Sequence, residues 1–244
     1  MGFTLPLNVF LKHTHYEYEA TVLRYVAQHT SIPVPIVIDT LHLGEDHFLI
    51  VMSEIPGNDL DSTFRDMTEE QTAHVVRQLS GLLAQIRALP PPQPGVCALG
   101  GGEIRDNRLS FSMKPWGPFS AVPEFHDYLI QRSELRLDEC EHPAEVLSVI
   151  GKSHSKTHRV CFTHNDFHPG NIMVDDEFNV TGLVDWEMSR GCPNIGMEYT
   201  KALYLPYYKS KKAKWYEIMT RIFPQYDDEL SAEVEILFWR RCYN

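Results

Sequence analysis

Thr163-His164-Asn165-Asp166-Phe167-His168-Pro169-Gly170-Asn171 runs directly into Ile172-Met173-Val174, a polar turn from Asp175 to Asn179, Val180-Thr181-Gly182-Leu183-Val184 and then Asp185-Trp186-Glu187. Two apolar segments on either side of a five-residue polar turn read as a β-hairpin. Antiparallel pairing then brings Asn171, at the start of the hairpin, beside Asp185, at its end. A carboxamide and a carboxylate so placed suit a hard metal ion held by oxygen ligands, with phosphates filling the remaining positions. Asp166 lies five residues before Asn171, on a loop that Pro169 and Gly170 keep from becoming helix. A carboxylate there can face the metal and orient or deprotonate an attacking hydroxyl.

Toward the N-terminus, Leu7 to Leu11 alternates as a strand does, with Lys12 ending it on the side of Asn8 and Phe10. From about Tyr16 to Gln28 the period becomes helical: Val22, Leu23, Val26 and Ala27 form one stripe, which Glu19 shares, and Glu17 points to solvent. Ser31-Ile32-Pro33-Val34-Pro35 stops that helix, because each proline pushes its predecessor into extended backbone. Two more strands are expected at Ile36 to Asp39 and His47 to Ser53, joined by a turn containing Gly44. Pro56-Gly57-Asn58 breaks the pattern and marks a boundary between residues 1–56 and 57–244.

Past that boundary, Thr68 and Gln71 form a capping box for a long helix whose apolar face is Val75, Leu79, Leu82, Leu83 and Ile86. Pro90-Pro91-Pro92 ends it. Residues 93–118 are rich in Gly and Pro and read as an irregular connection, followed by helices over Pro123 to Gln131 and Pro143 to Lys156. From about Glu198 the chain is helical and aromatic, with a break at Phe223-Pro224.

Composition sets the class. A chain of 244 residues with 43% hydrophobic and 23% charged residues can bury a real core and is neither disordered nor fibrous. With Lys+Arg 22 against Asp+Glu 33, its formal charge of −11 repels nucleic acid and anionic membranes. Five scattered cysteines without a CxxC pair indicate thiols in a reducing compartment, and no apolar run approaches a membrane span, so a cytoplasmic protein is expected. His164 and His168 have the spacing of a helical zinc pair, but Pro169-Gly170 opposes a helix. His154 and His158 share that spacing without a suitably placed third ligand and read as surface or core histidines. Neither a G-x-S-x-G serine elbow nor a G-x-x-x-x-G-K-[ST] phosphate loop occurs.

The pattern H-x-D-x-x-x-x-N, followed by a hairpin and an aspartate, resembles the shared signature of protein kinases and the aminoglycoside phosphotransferase and choline kinase group. His-x-Asp-x-His-Pro-Gly-Asn with Asp-Trp-Glu downstream is similar to the small-molecule branch. That resemblance, densest over residues 160–190, implies an α+β, two-lobed protein kinase-like fold with a reduced β-rich N-lobe and a mainly helical C-lobe. It implies Asp166 as catalytic base, Asn171 and Asp185 as Mg2+ ligands, and His164 as a brace for the loop. Lys12 and Glu19 resemble the pair in which a glutamate holds a lysine against nucleotide phosphates. Phe48 to Ile55 resembles the hinge between lobes, where the backbone of Ser53 and Ile55 would bond adenine or guanine beside Met52.

The implied activity is transfer of the γ-phosphate of ATP or GTP to a hydroxyl of a small molecule. Glu187, Glu198 and the acidic surplus suggest an amine-bearing acceptor. One departure from the pattern is the N-terminus: the family normally places two strands and a nucleotide-covering loop, more than about 20 residues, before the lysine strand. Here eleven residues precede Lys12. The chain therefore looks shortened, and the alternative is a non-catalytic kinase-like protein that binds a ligand or partner through its C-lobe.

Overall fold

The computed structural model describes residues 2–15, 17–44, 47–90, 94–105, 115–132, 137, 140–193, 212–223 and 226–238. Its first layer is a four-stranded antiparallel sheet of β1 (Gly2–Leu5), β2 (Val9–Thr14), β3 (Val37–Gly44) and β4 (His47–Ser53), in the order β1-β2-β4-β3. The expected strand from Leu7 is displaced. Leu7 and Asn8 have φ of 71° and 57° and form the turn between β1 and β2. Lys12 accordingly sits inside β2, pairing Gly2 on one side and Ile50 on the other. The alternation of apolar residues does not reveal this, because register is set by the two flanking strands. β1, ahead of the lysine strand, was not expected from the sequence.

Helix α1 (Tyr18–His29) buries Glu19, Ala20, Val22, Leu23 and Val26. Ala27, placed on that stripe from the sequence, is exposed, while Ala20 is fully buried: the N-terminal turns of α1 face the core and its last turn faces solvent. Gly44, with φ of 110°, ends β3 and pairs with His47, so that β3 runs five residues beyond the expected Asp39. Residues 31–35 belong to neither helix nor strand, and Pro33 accepts a hydrogen bond from Leu183 N at 2.9 Å, tying them to the second lobe.

The chain enters the helical lobe through β5 (Asn58–Asp59) and α2 (Leu60–Thr63). Gly57, at φ 104°, passes so close to Val174 that a Cβ there would collide with its carbonyl, which is the reason for glycine at this break. The capping box forms as predicted, with Thr68 Oγ1 accepting from Gln71 N and Gln71 Oε1 accepting from Thr68 N, and it opens α3 (Glu69–Ala88). Val75, Leu79, Leu83 and Ile86 are buried and Leu82 packs at the edge. α4 (Val122–Arg132) and α5 (Pro143–His154) follow close to their expected limits.

Next come β6 (Val160–Thr163), β7 (Ile172–Val174), β8 (Val180–Leu183) and β9 (Arg190–Pro193). β7 and β8 form the predicted hairpin, and β5 joins it as a third strand. The pairing of β6 with β9 was not foreseen. It closes the segment from His164 to Ser189 into a stem whose two ends are held side by side. α6 (Lys212–Ile222) and α7 (Asp227–Phe238) flank the predicted break after Phe223. The expected helical start at Glu198 lies outside the described residues.

One hydrophobic core runs through both lobes, from Val22, Leu23 and Ile50 to Leu79, Phe162, Trp186 and Trp215. A second, around Phe119, Phe125, Leu129 and Ile150, packs α4 and α5 against α7 through Ile236. Burying this much apolar surface, at about 25 cal/mol per Å2, is what fixes the lobes against each other and positions the groups between them.

Candidate active site

Between the lobes lies a cavity of about 310 Å3 lined by Lys12, Glu19, Met52, Ser53, Ile55, Asn171 and Asp185. Seven of the nine residues assigned from the sequence to catalysis, nucleotide or metal therefore face one space, although they come from β2, α1, β4 and the segment after it, and the two ends of the hairpin. Phe10 of β2 and Gly2 of β1 line it from the sheet, and Met173 of β7 from the helical lobe. These three escaped the sequence reading. Met173 is the second residue of β7, the strand into which the 3-10 turn Pro169–Asn171 leads.

The Lys12 ammonium is the electrostatic centre. Its Nζ lies 2.7 Å from Glu19 Oε2, 2.7 Å from Asp185 Oδ1 and 3.7 Å from Glu187 Oε2. Burial pulls the lysine pKa down, but the three carboxylates together outweigh it and hold the ammonium above the ordinary lysine range. Glu19 is shifted up, because burial and the neighbouring Asp185 and Glu187 oppose the help it receives from Lys12. The two partners thus shift in the same direction. The cause is an excess of negative charge in a place with little water, and the firmer conclusion is that Lys12 stays charged. Glu187 is likewise pushed up, first by burial, with Asp185 and Asp166 adding to it.

Asp185 sits just beyond β8 at φ 64°, and Asn165 has the same φ in the loop before the hairpin. Asp and Asn tolerate this left-handed backbone better than other side chains. The direct partner of Asn171 is Val184, whose N–H it accepts at 3.0 Å; Asp185 is one residue further along and turns into the same cavity. Asn171 Nδ2 donates to Asp166 O at 2.9 Å and to Asp166 Oδ2 at 3.2 Å, joining Asp166 to the cavity edge. Asp166 and His164 do not themselves line the cavity.

His164 is buried against the Trp186 ring, at 4.5 Å between centroids. Its Nδ1 accepts from Asp166 N at 3.3 Å and its Nε2 bonds Val184 O at 3.0 Å. Both bonds are satisfied by a neutral ring protonated on Nε2, and burial lowers its pKa to about 4. His168 adds a contact, with Nε2 3.6 Å from Asp166 Oδ2.

Two further residues were not foreseen. Tyr18 opens α1, donates its hydroxyl to Ser189 O at 2.6 Å and accepts from Leu99 N at 2.8 Å. Burial pushes its pKa up to about 12. Trp186 N donates to Glu19 Oε1 at 3.1 Å, so the segment after Asp185 grips α1 at the residue that holds Lys12.

The donor set suits a hard divalent cation. Asp185 and Asn171 both line the cavity, and the amide nitrogen of Asn171 is taken by Asp166, so its oxygen is the atom that could meet a cation. Among the described residues Glu19, Asp185 and Glu187 also bring carboxylate oxygens close together. Lys12 serves that group as its counterion.

A lysine strand, a glutamate on the following helix and a loop-hairpin-aspartate beneath them place the molecule among two-lobed, kinase-like phosphotransferase folds. Residues 10–191 match the phosphotransferase enzyme family, and the chain belongs to that family. Among curated proteins it is similar to the Clavilactone A biosynthesis cluster protein Y of Ampulloclitocybe clavipes, 23% identical over 202 residues, covering 70% of this chain and 49% of that protein. The chain thus spans about half the length of the curated relative it matches. Among solved structures it resembles the apo form of a thermostable mutant of aminoglycoside phosphotransferase APH(4)-Ia, with a TM-score of 0.65 at 14% identity over 99% of this chain and 81% of that one. It also resembles the GDP complex of aminoglycoside 2'-phosphotransferase-IIIa, with a TM-score of 0.66 at 10% identity over 98% of this chain and 78% of that one. At such identities the likeness shows the fold. No helix among the described residues is long and apolar enough to cross a membrane.

Proposed function

We propose that this chain transfers the γ-phosphate of ATP or GTP to a hydroxyl of a small molecule, with residues 1–56 as the nucleotide side and 57–244 as the catalytic and substrate side. The observation that carries this reading is Lys12, held 2.7 Å from both Glu19 and Asp185 at the wall of a cavity of ligand-pocket size. Ser53 N already donates to Ile36 O at 2.9 Å, so Ser53 contributes its carbonyl and Ile55 its amide to a purine beside Met52. Lys12 meets the phosphates as a fixed cation. Its ammonium needs no reorganisation, since Glu19 and Asp185 already orient it.

Asn171 and Asp185 would hold Mg2+, which supplies charge neutralisation for the phosphates when bound. Asp166, fixed by Asn171 and by the neutral His164, takes the proton of the acceptor hydroxyl as its oxygen bonds to phosphorus and the nucleoside diphosphate leaves. Glu187 also borders a second cavity of about 240 Å3 lined by Tyr18, Glu103 and Arg105; its two carboxylates, Glu187 and Glu103, are the groups that would meet an acceptor bearing an amine. Glu198 lies outside the described residues. The fold of the aminoglycoside phosphotransferases, one of them solved with ADP and hygromycin B, supports a small hydroxylated acceptor.

Calorimetric titration of ATP and GTP with and without Mg2+, joined to a phosphate-transfer assay over amino alcohols, aminoglycosides and sugars, tests this. Binding should require Mg2+ and be lost in Asp185→Ala. Asp166→Asn should cut turnover by roughly two orders of magnitude or more while leaving nucleotide affinity unchanged. Asp166→Asn activity within threefold of wild type would remove Asp166 from the mechanism, and no binding of any nucleotide would leave the non-catalytic alternative.

A further inference from the structure

The outer face of the four-stranded sheet carries three histidines that phosphate transfer does not use. His13 lies in β2 and His15 just beyond it, and residues two apart on a strand share a face. Lys12, between Leu11 and His13, points to the other face, toward Glu19. Across the ladder, His13 pairs with Leu49, and His47 is two residues from Leu49, so it joins the same outer face. The imidazoles are in contact. His13 Nε2 and His47 Nδ1 lie 3.1 Å apart. Ring centroids are separated by 5.1 Å for His13 and His47, 4.8 Å for His15 and His47, and 5.7 Å for His13 and His15.

Those distances have a meaning for metal binding. Three imidazoles bound at about 2.05 Å to one tetrahedral ion place their donor nitrogens roughly 3.3 Å apart and their ring centres roughly 5 Å apart. The observed separations are of that size. The donor atoms that already converge among the described residues are those of Glu19, Asp185 and Glu187, so the histidine group needs a ring to turn about χ2. Such a turn leaves the ring centre nearly in place, and this torsion is soft for exposed side chains such as His15 and His47.

We propose that His13, His15 and His47 form a binding site for a borderline divalent transition-metal ion of the zinc class, with three imidazole nitrogens and an open fourth position for water. Nitrogen donors without a carboxylate select zinc and its neighbours over Mg2+ or Ca2+. The ion would bridge β2 to β4 on the reverse side of the strand that carries Lys12. It stabilises that lobe without entering the nucleotide cavity.

The test uses the untagged full chain, titrated with Zn2+ against a chromogenic chelator and with Co2+ for its visible spectrum. Wild type should bind zinc at micromolar concentration, give the intense absorption of four-coordinate cobalt, and melt at a higher temperature with metal. His15→Gln and His47→Gln should each weaken zinc binding by roughly tenfold or more. The double variant should lose one zinc equivalent while its circular dichroism and metal-free melting stay as in wild type. Zinc binding of unchanged stoichiometry and affinity in the double variant, no uptake by wild type, or a weak octahedral cobalt spectrum would each overturn the site. The single variants carry the same test should the double variant fail to fold.

Discussion

Glu19→Gln isolates the contact on which the nucleotide side depends. Glu19 is 1% exposed, accepts Trp186 N on Oε1 at 3.1 Å and holds Lys12 Nζ on Oε2 at 2.7 Å. Glutamine keeps the first acceptor and sets an NH2 group against the ammonium. The loss is one charge-assisted hydrogen bond, about 1.5–3 kcal/mol. The larger penalty of stranding a buried charge, about 3–5 kcal/mol, is not reached, because Lys12 keeps Asp185 at 2.7 Å. A loss of about 2 kcal/mol should lower the melting midpoint by roughly 4–8 °C in a chain of this length. Nucleotide affinity in the presence of Mg2+ should fall roughly tenfold, equivalent to about 1.4 kcal/mol, as Lys12 swings toward Asp185. Differential scanning calorimetry and nucleotide titration measure both. A cycle with Lys12→Met should be non-additive by about 1 kcal/mol or more, since either change removes the same bond. A midpoint within about 1 °C of wild type, together with an additive cycle, would show that the Lys12–Glu19 contact does not position the lysine.

Tyr18→Phe leaves Leu99 N and Ser189 O without their partner, so it should cost about 1–3 kcal/mol and speed hydrogen exchange in α1; unchanged exchange there would mean that the hydroxyl does not hold the helix. Stability should also fall with acid. His154 and His164 are lowered by burial from 6.5 to about 4, so between those values the unfolded chain binds more protons than the folded one, and the stabilisation present above pH 6.5 drains away as pH drops toward 4. His154→Gln should flatten that slope in melting curves recorded across the window, and an unaltered slope would contradict the assignment.

The sequence by itself determined the elements whose signals are local. The hairpin from Ile172 to Leu183, the capping box at Thr68 and Gln71 and the buried stripe of α3 each repeat over a few residues, at the period of the structure they form. The motif around Asp166, Asn171 and Asp185 was legible for the same reason, because its spacing lies within one loop and one hairpin. Lys12 and Glu19 could be paired from their order along the chain, but the length of β2 could not, since β1 and β4 decide where the ladder runs. Only the tertiary structure decided that Lys12 also meets Asp185, 173 residues away, that Tyr18 reaches Ser189, and that β6 pairs with β9. These contacts follow from two lobes closing over one shared core, and no pattern among neighbouring residues encodes how far apart in sequence the partners will be. The left-handed backbone at Asp185 belongs to the same category: an aspartate permits that conformation, and it stands beside the fully buried Trp186, whose N–H is held by Glu19 from a distant part of the chain.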